Sequence, residues 1–178
     1  SSDVCSSDLG SLMVAKEFLK NDLIISYSDI IFEQKIIKQI LETPGDIVIA
    51  IDMNWKKAYK GRTQHTTTEA ENVLLNHKNE ILEIRKNILG NNELIGEFLG
   101  IIKMTKKGSK IFLEKIENLQ KSHSGVFHTA ESLEKGYLTD MIQELIDSSF
   151  HITPAFISGN WCEIDTIQDL ERAETIFK

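Results

Sequence analysis

The residues with the clearest chemical potential form one run near the end of the chain, Gly159-Asn160-Trp161-Cys162-Glu163-Ile164-Asp165-Thr166-Ile167-Gln168-Asp169-Leu170-Glu171. It reads as a short strand that delivers two carboxylates, Glu163 and Asp165, to the mouth of a helix. Thr166 suits the N-cap, and Asp169 three residues on completes a capping-box pattern. Acids at the C-terminal end of a strand, beside a helix start, sit where open α/β sheets take their ligands; a solvated turn is the bland alternative. Asp29 closes another apolar run, Asp22 to Asp29. Two strand-end carboxylates such as Asp29 and Asp165 could share one hard cation, because Mg2+ is held by one or two carboxylates plus substrate phosphate oxygens. Spacing does not show that the two meet, and Asp29 serves equally as the N-cap of the helix that follows.

Other side chains carry similar double readings. Asp52, Trp55 and Tyr59, with the segment Gly61 to His65, could line a pocket, although Trp55 and Tyr59 at i, i+4 equally make one hydrophobic patch. Lys86 interrupts an otherwise apolar strand, where a cation reaches a ligand or a carboxylate unless the strand is an edge facing water. Glu97, between two apolar runs, has the same ambiguity. Tyr137 and Asp140 flank the first turn of a helix, where Asp140 complements the helix dipole. Alternatively Tyr137, Asp140 and Trp161 form a cage for a cationic group, at about 0.5–2 kcal/mol per ring contact. The five histidines lack metal-ligand spacing, and Cys162 reads as a buried spectator.

The elements that must position these residues are legible as periodicity. Leu12 to Leu19 reads as the end of a helix. Asp22–Asp29, Gln34–Glu42 and Asp46–Asp52 read as a strand–helix–strand unit with strands of the kind buried in a parallel sheet. Asn54 to Thr68 reads as a functional loop. Asn72–Leu75 and Ile81–Ile88 form a hairpin around Asn76–Asn79. Leu94–Met104 is a strand whose Gly96 and Gly100 mark close backbone approach or a bulge. A helix follows from Thr105 to about Gln120, then a stripe helix through Leu138 and Ile146, a strand over His151–Ile157, and a last helix with a stripe at Ile167, Leu170, Ala173 and Phe177. Alternating strands and helices indicate a single α/β domain over residues 11–178. Residues 1–10, with a near-repeat of Ser-Ser-Asp, read as a non-native or disordered leader.

Composition narrows the partners. The 178 residues are 41% hydrophobic and 26% charged, ordinary for a globular protein. A formal charge of -7 argues against nucleic acid or an anionic membrane as main partner. No apolar run approaches the roughly 20 residues of a membrane span. Two cysteines give no disulfide framework, and a reducing cytoplasm fits. A homodimer is compatible with the sequence.

Together, the blocks Ile24–Phe32, Asp46–Trp55, Gly61-Arg62, Glu69-Ala70-Glu71, Gly96–Gly100, Tyr137–Asp140 and Gly159–Ala173 resemble successive blocks of nucleotidyltransferases. The nearest subset is similar to phosphocholine and 2-aminoethylphosphonate cytidylyltransferases, including those fused to phosphoenolpyruvate mutase. The resemblance implies a Rossmann-like α/β domain with a mixed sheet. It implies attack of a phosphate or phosphonate oxygen on the α-phosphorus of CTP, with release of pyrophosphate. It further implies Mg2+ on Asp29 and Asp165, phosphate contacts from Lys86 and Arg62, and an acceptor pocket drawn from Asp52, Trp55, Tyr59, Glu97, Tyr137, Asp140, Trp161 and Glu163. Nothing here matches the family's opening strand and Gly-rich nucleotide loop. The expectation is therefore a truncated domain that does not bind CTP productively alone. A sugar-phosphate nucleotidyltransferase and a non-catalytic binding domain of the same fold are the competing readings.

Overall fold

The computed structural model describes residues 8–90 and 94–178. The sheet grows from two fully apolar runs. Strand β3 (Ile47–Asp52) is buried at every position, and β6 (Ile95–Met104) at all but one. Along β3, Ile47, Ile49 and Ile51 enter one core while Val48 and Ala50 enter the other, as the period of two demands. Six strands form the main sheet: β1 (Leu23–Ser26), β3, β4 (Glu71–Leu75), β5 (Ile81–Lys86), β6 and β7 (Thr153–Phe156). Its path is β5-β4-β6-β3-β7, with β1 also on β6. On one face pack α1 (Asp8–Val14), α3 (Lys106–Ser122) and α4 (Leu138–Asp147). On the other lies α2 (Gln34–Glu42), through Ile36 and Ile40. A second, two-stranded sheet joins β2 (Ile30–Phe32) to β8 (Trp161–Glu163), and α5 (Ile167–Ile176) follows.

Strand β6 is the organising element. One edge pairs antiparallel with β3 along most of its length; the other pairs with β4 at Ile95–Glu97 and with β1 at Ile101–Met104. The handover falls at Gly100. Pairing with β3 moves from Ile49 opposite Ile102 to Ile51 opposite Phe98, so three β6 residues face one β3 residue. The two extra residues form a bulge and, being an even number, keep the inward and outward faces in phase. Gly100 adopts φ +67, and a Cβ there would strike the Tyr27 ring. The glycine is what lets Tyr27 lie down beside Phe98, with ring centroids 6.0 Å apart.

Four sequence expectations are modified. The strand–helix–strand unit exists, but β1 and β3 are not neighbours: β6 inserts between them antiparallel to both, which makes the sheet mixed. Among the described residues only β3 and β7 pair in parallel. Strand β2 has no counterpart in the periodicity, because three residues are too few to show one. The first helix starts at Asp8, inside the leader, with Leu9 buried in the main core. The apolar stripe of α5 fails in part: Ile167 and Leu170 are exposed, and the face turned inward carries Asp169 and Ala173. The helix is oriented by a buried ion pair rather than by its apolar residues.

Candidate active site

The β2–β8 pairing sets the site. Ile30 lies opposite Glu163, and the next backbone bond runs from the Ile164 amide to the Asp29 carbonyl at 2.8 Å. Asp29 therefore stands one residue before β2, and Asp165 two residues after the neighbouring β8. Both line a cavity of about 630 Å3 together with His65, Glu69, Glu71, Lys86, Tyr27, Tyr137 and Glu163. The expected capping box forms: Thr166 Oγ1 accepts from the Asp169 amide at 3.2 Å, and Asp169 Oδ2 accepts from the Thr166 amide at 3.1 Å. It fixes the turn that aims Asp165.

The loop after β3 is stapled to α5. The Thr63 amide donates to Gln168 Oε1 at 2.9 Å. Arg62 is buried; its Nε pairs with Asp169 Oδ1 at 2.7 Å and its Nη2 with Asp165 Oδ2 at 3.3 Å, over the face of Tyr59. Burial opposes ionisation of Asp169, yet the Arg62 guanidinium and Thr166 hold its carboxyl below the ordinary value. This staple brings His65 to Asp165 (Nδ1 to Oδ2, 3.1 Å) and to Glu163 (Nε2 to Oε2, 3.7 Å). One ligand atom from each of His65, Glu163 and Asp165 fits within 4.8 Å of the others, the geometry of a metal-binding group.

The electrostatics fit a cation. Burial first, then the Asp165 carboxylate, pushes the Glu163 carboxyl up to about 8, with Asp29 and Glu71 adding to the shift and Arg62 opposing it. Burial, with Asp8 nearby, pushes Glu71 up to about 7. Carboxylates crowded without a counter-charge keep their protons, and a dication reverses that balance.

The sequence candidates divide. The structure brings Asp29, Asp165, Glu163, Lys86 and Tyr137 to the large cavity. Lys86 is half-exposed and pairs with Glu69 at 3.0 Å. Arg62 does not reach the cavity; it acts from behind, through Asp165. Asp52, Trp55, Tyr59, Glu97, Asp140 and Trp161 are buried and absent from its wall. Asp52 accepts from the Asn54 amide at 2.7 Å and from Trp161 Nε1 at 2.9 Å. Trp55 donates to the Ile95 carbonyl at 3.0 Å and packs edge-on against Tyr59, so this pair is the hydrophobic patch. The Tyr59 hydroxyl donates to Glu97. Burial, with Glu163 and Asp52 nearby, drives the Glu97 carboxyl well above its usual range. Glu97 and Trp161 line only a cavity of about 20 Å3 behind the main one, too small for a substrate.

The cage of Tyr137, Asp140 and Trp161 does not form. Asp140 is consumed by the Thr129 amide and hydroxyl (3.0 and 2.7 Å) and by the Tyr137 amide (2.9 Å), which is its bland role at a helix start. Cys162 is buried, and burial raises its thiol. Sequence reasoning placed His65 in a candidate pocket segment without pairing it to the acids, and gave Tyr27 and Glu71 no site role. Ligand spacing failed for His65 because its partners lie on another element; the polarity of the Asn54–Thr68 loop was the available signal.

The molecule is a Rossmann-like α/β fold, a six-stranded mixed sheet between helical layers, with strand-end acids brought to one cavity. The fold matches the inositol-1-phosphate CTP transferase from T. maritima with a TM-score of 0.68 and 21% identity, over 100% of this chain and 64% of that one. It also matches a Bacillus anthracis protein described as a glucose-1-phosphate thymidylyltransferase, solved with a sucrose. That match has a TM-score of 0.63 and 16% identity, over 93% of this chain and 58% of the other. In sequence the chain is similar to the CTP:phosphoglutamine cytidylyltransferase of Campylobacter jejuni: 28% identical over 163 residues, 88% of this chain and 63% of that protein. No protein-family model matches. The chain thus shares its fold with these two solved proteins and is similar in sequence to a cytidylyltransferase, and it spans just under two thirds of that curated relative's length.

Proposed function

We propose that this cavity is the metal and acceptor end of a cytidylyltransferase site. In the whole protein, an anionic oxygen of a small phosphorylated or phosphonate acceptor attacks the α-phosphorus of CTP, and pyrophosphate leaves. The observation that carries this reading is the arrival of Asp29, Glu163 and Asp165 from two separate strand ends on one cavity. The attacking oxygen is already charged, so positioning and charge neutralisation are the tasks, and no general base is required. Asp29 and Asp165 would hold Mg2+, which supplies neutralisation of the phosphates. Lys86 stands at the wall as a cation for a phosphate oxygen, exchanging Glu69 for substrate. Arg62 keeps Asp165 in place.

The acidic wall of Glu69 and Glu71, with Tyr137 beside it, supports an acceptor bearing a positive group, such as phosphocholine or 2-aminoethylphosphonate. The two cytidylyl-transferring relatives act on phosphoglutamine and inositol 1-phosphate, by their names, so acceptor choice varies within the fold. With no cage present, a sugar phosphate is the rival acceptor.

The test is pyrophosphate release by the complete natural gene product with CTP, Mg2+ and a panel of phosphocholine, 2-aminoethylphosphonate, inositol 1-phosphate and glucose 1-phosphate. Turnover with a cationic acceptor, lost in Asp165→Asn, is expected. Turnover with glucose 1-phosphate alone would move the assignment to sugar phosphates. CTP binding without turnover on any acceptor would leave the non-catalytic reading.

A further inference from the structure

We propose that the recess of about 20 Å3 behind the main cavity is a socket for a primary ammonium group, so that the acceptor carries an unmethylated amine and not a trimethylammonium. The proposal rests on the reading of the main cavity as the acceptor end of a cytidylyltransferase site, and it adds the class of head group that site takes.

Size, charge and unspent bonding converge. The recess shares Tyr27, Glu69, Glu71 and Glu163 with the main cavity, so the two adjoin. Too small for a whole acceptor, it holds one water-sized group. An ammonium is that size; a trimethylammonium, three methyl groups larger, is not. Its wall includes Glu71, Glu97 and Glu163, with Tyr27 and Trp161 supplying the aromatic lining that suits a cation. Glu97 is only 4% exposed. Its Oε1 accepts from the Tyr59 hydroxyl, while its buried Oε2 has no hydrogen-bond partner among the described residues. Neither cross-strand neighbour satisfies it: Asp52 is another acid, and Asn72 Nδ2 is itself unpaired among the described residues. Burial holds both Glu97 and Glu71 above the usual carboxylate range, and a cation entering the recess supplies the counter-charge that lets them ionise. Three acids match the three N–H donors of an ammonium, whereas a quaternary nitrogen has no N–H to offer and leaves Glu97 Oε2 unpaired. Lys86, Asp29 and Asp165 remain in the main cavity for the phosphate or phosphonate end.

The experiment is calorimetric titration of the complete natural gene product with Mg2+, in the presence and absence of a CTP analogue whose α,β-methylene bridge prevents turnover. One series of ligands is phosphoethanolamine, its N-methyl and N,N-dimethyl forms, and phosphocholine. The other pairs 2-aminoethylphosphonate with propylphosphonate, its uncharged isostere. Affinity is expected to fall with each methyl group, leaving phosphoethanolamine at least about tenfold tighter than phosphocholine, and 2-aminoethylphosphonate at least about tenfold tighter than propylphosphonate. Glu97→Gln keeps the acceptor for Tyr59 and removes the charge. It should lose the preference for 2-aminoethylphosphonate while propylphosphonate stays within about threefold. The methylation series is read on wild type and does not depend on the variant folding. Phosphocholine binding as tightly as phosphoethanolamine, propylphosphonate matching 2-aminoethylphosphonate, a Glu97→Gln protein with the preference intact, or no binding of any of these ligands would each overturn the proposal. Pyrophosphate release with phosphocholine beside a flat methylation series would sink the socket and leave the transferase reading standing; a steep series without pyrophosphate release would do the reverse.

Discussion

The rim of the large cavity and the buried layer behind it contain the same kinds of residue and use them differently. Behind the rim, polar groups are largely paired with one another, Asp52 with Trp161, Tyr59 with Glu97, Arg62 with Asp169 and Asp140 with Thr129, although Glu97 Oε2 and Asn72 Nδ2 have no hydrogen-bond partner among the described residues. At the rim, Glu163, Glu71 and Asp165 crowd one another, and His65 Nε2 has no hydrogen-bond partner among the described residues. Saturated polar pairs hold a fold; under-compensated charges await a ligand, because a buried unpaired group costs free energy until something arrives to pair it. The contrast separates positioning residues from binding residues where residue type does not.

The largest effect should come from breaking the buried layer. Arg62→Ala leaves Asp169 buried without its cation and releases both Asp165 and the His65 loop. A loss of about 4 kcal/mol in urea unfolding is expected. A loss below about 1 kcal/mol would place Arg62 with the surface ion pairs instead. Next comes the rim. Asp29→Asn should reduce nucleotidyl transfer by the complete gene product at least about a hundredfold, ~2.7 kcal/mol, with little change in unfolding. A large stability loss with modest loss of turnover would move Asp29 into the buried class.

The third prediction uses pH. Folded Glu163 keeps its proton to about 8, while the unfolded chain releases it near 4.5. Between those values the unfolded state binds fewer protons, so stability falls as pH rises. Glu71, raised to about 7, contributes with the same sign. Glu163→Gln should therefore be more stable than wild type at pH 8, by about 2 kcal/mol, and lose that advantage towards pH 4.5. Urea titrations at both values check this, and an unchanged slope would show that Glu163 is not under charge stress. The smallest effect is local: Thr166→Ala removes the α5 cap and should cost about 1 kcal/mol, read as a lowered midpoint in the same titration.

Much of the scaffold was legible in the residues. Apolar runs at Ile47–Asp52 and Ile95–Met104, the Thr105 and Thr166 caps, the Asn76–Asn79 turn and the two strand glycines all gave elements where they stand. These are short-range properties, written into neighbouring residues by side-chain period, capping chemistry and steric freedom. The site was legible only in part. Asp29, Glu163 and Asp165 could be singled out as strand-end acids, since a strand end beside a helix start is itself a local feature. That they share a cavity follows from the β2–β8 pairing, across about 130 residues of sequence, which no local period encodes. Tertiary structure alone decided that Arg62 supports rather than contacts, that Asp140 and Trp161 are spent on structural partners, and that His65 joins the acids. Each of those outcomes depends on which distant group lies within about 3 Å of a polar atom, and that distance is set by packing, not by the identity of the residue.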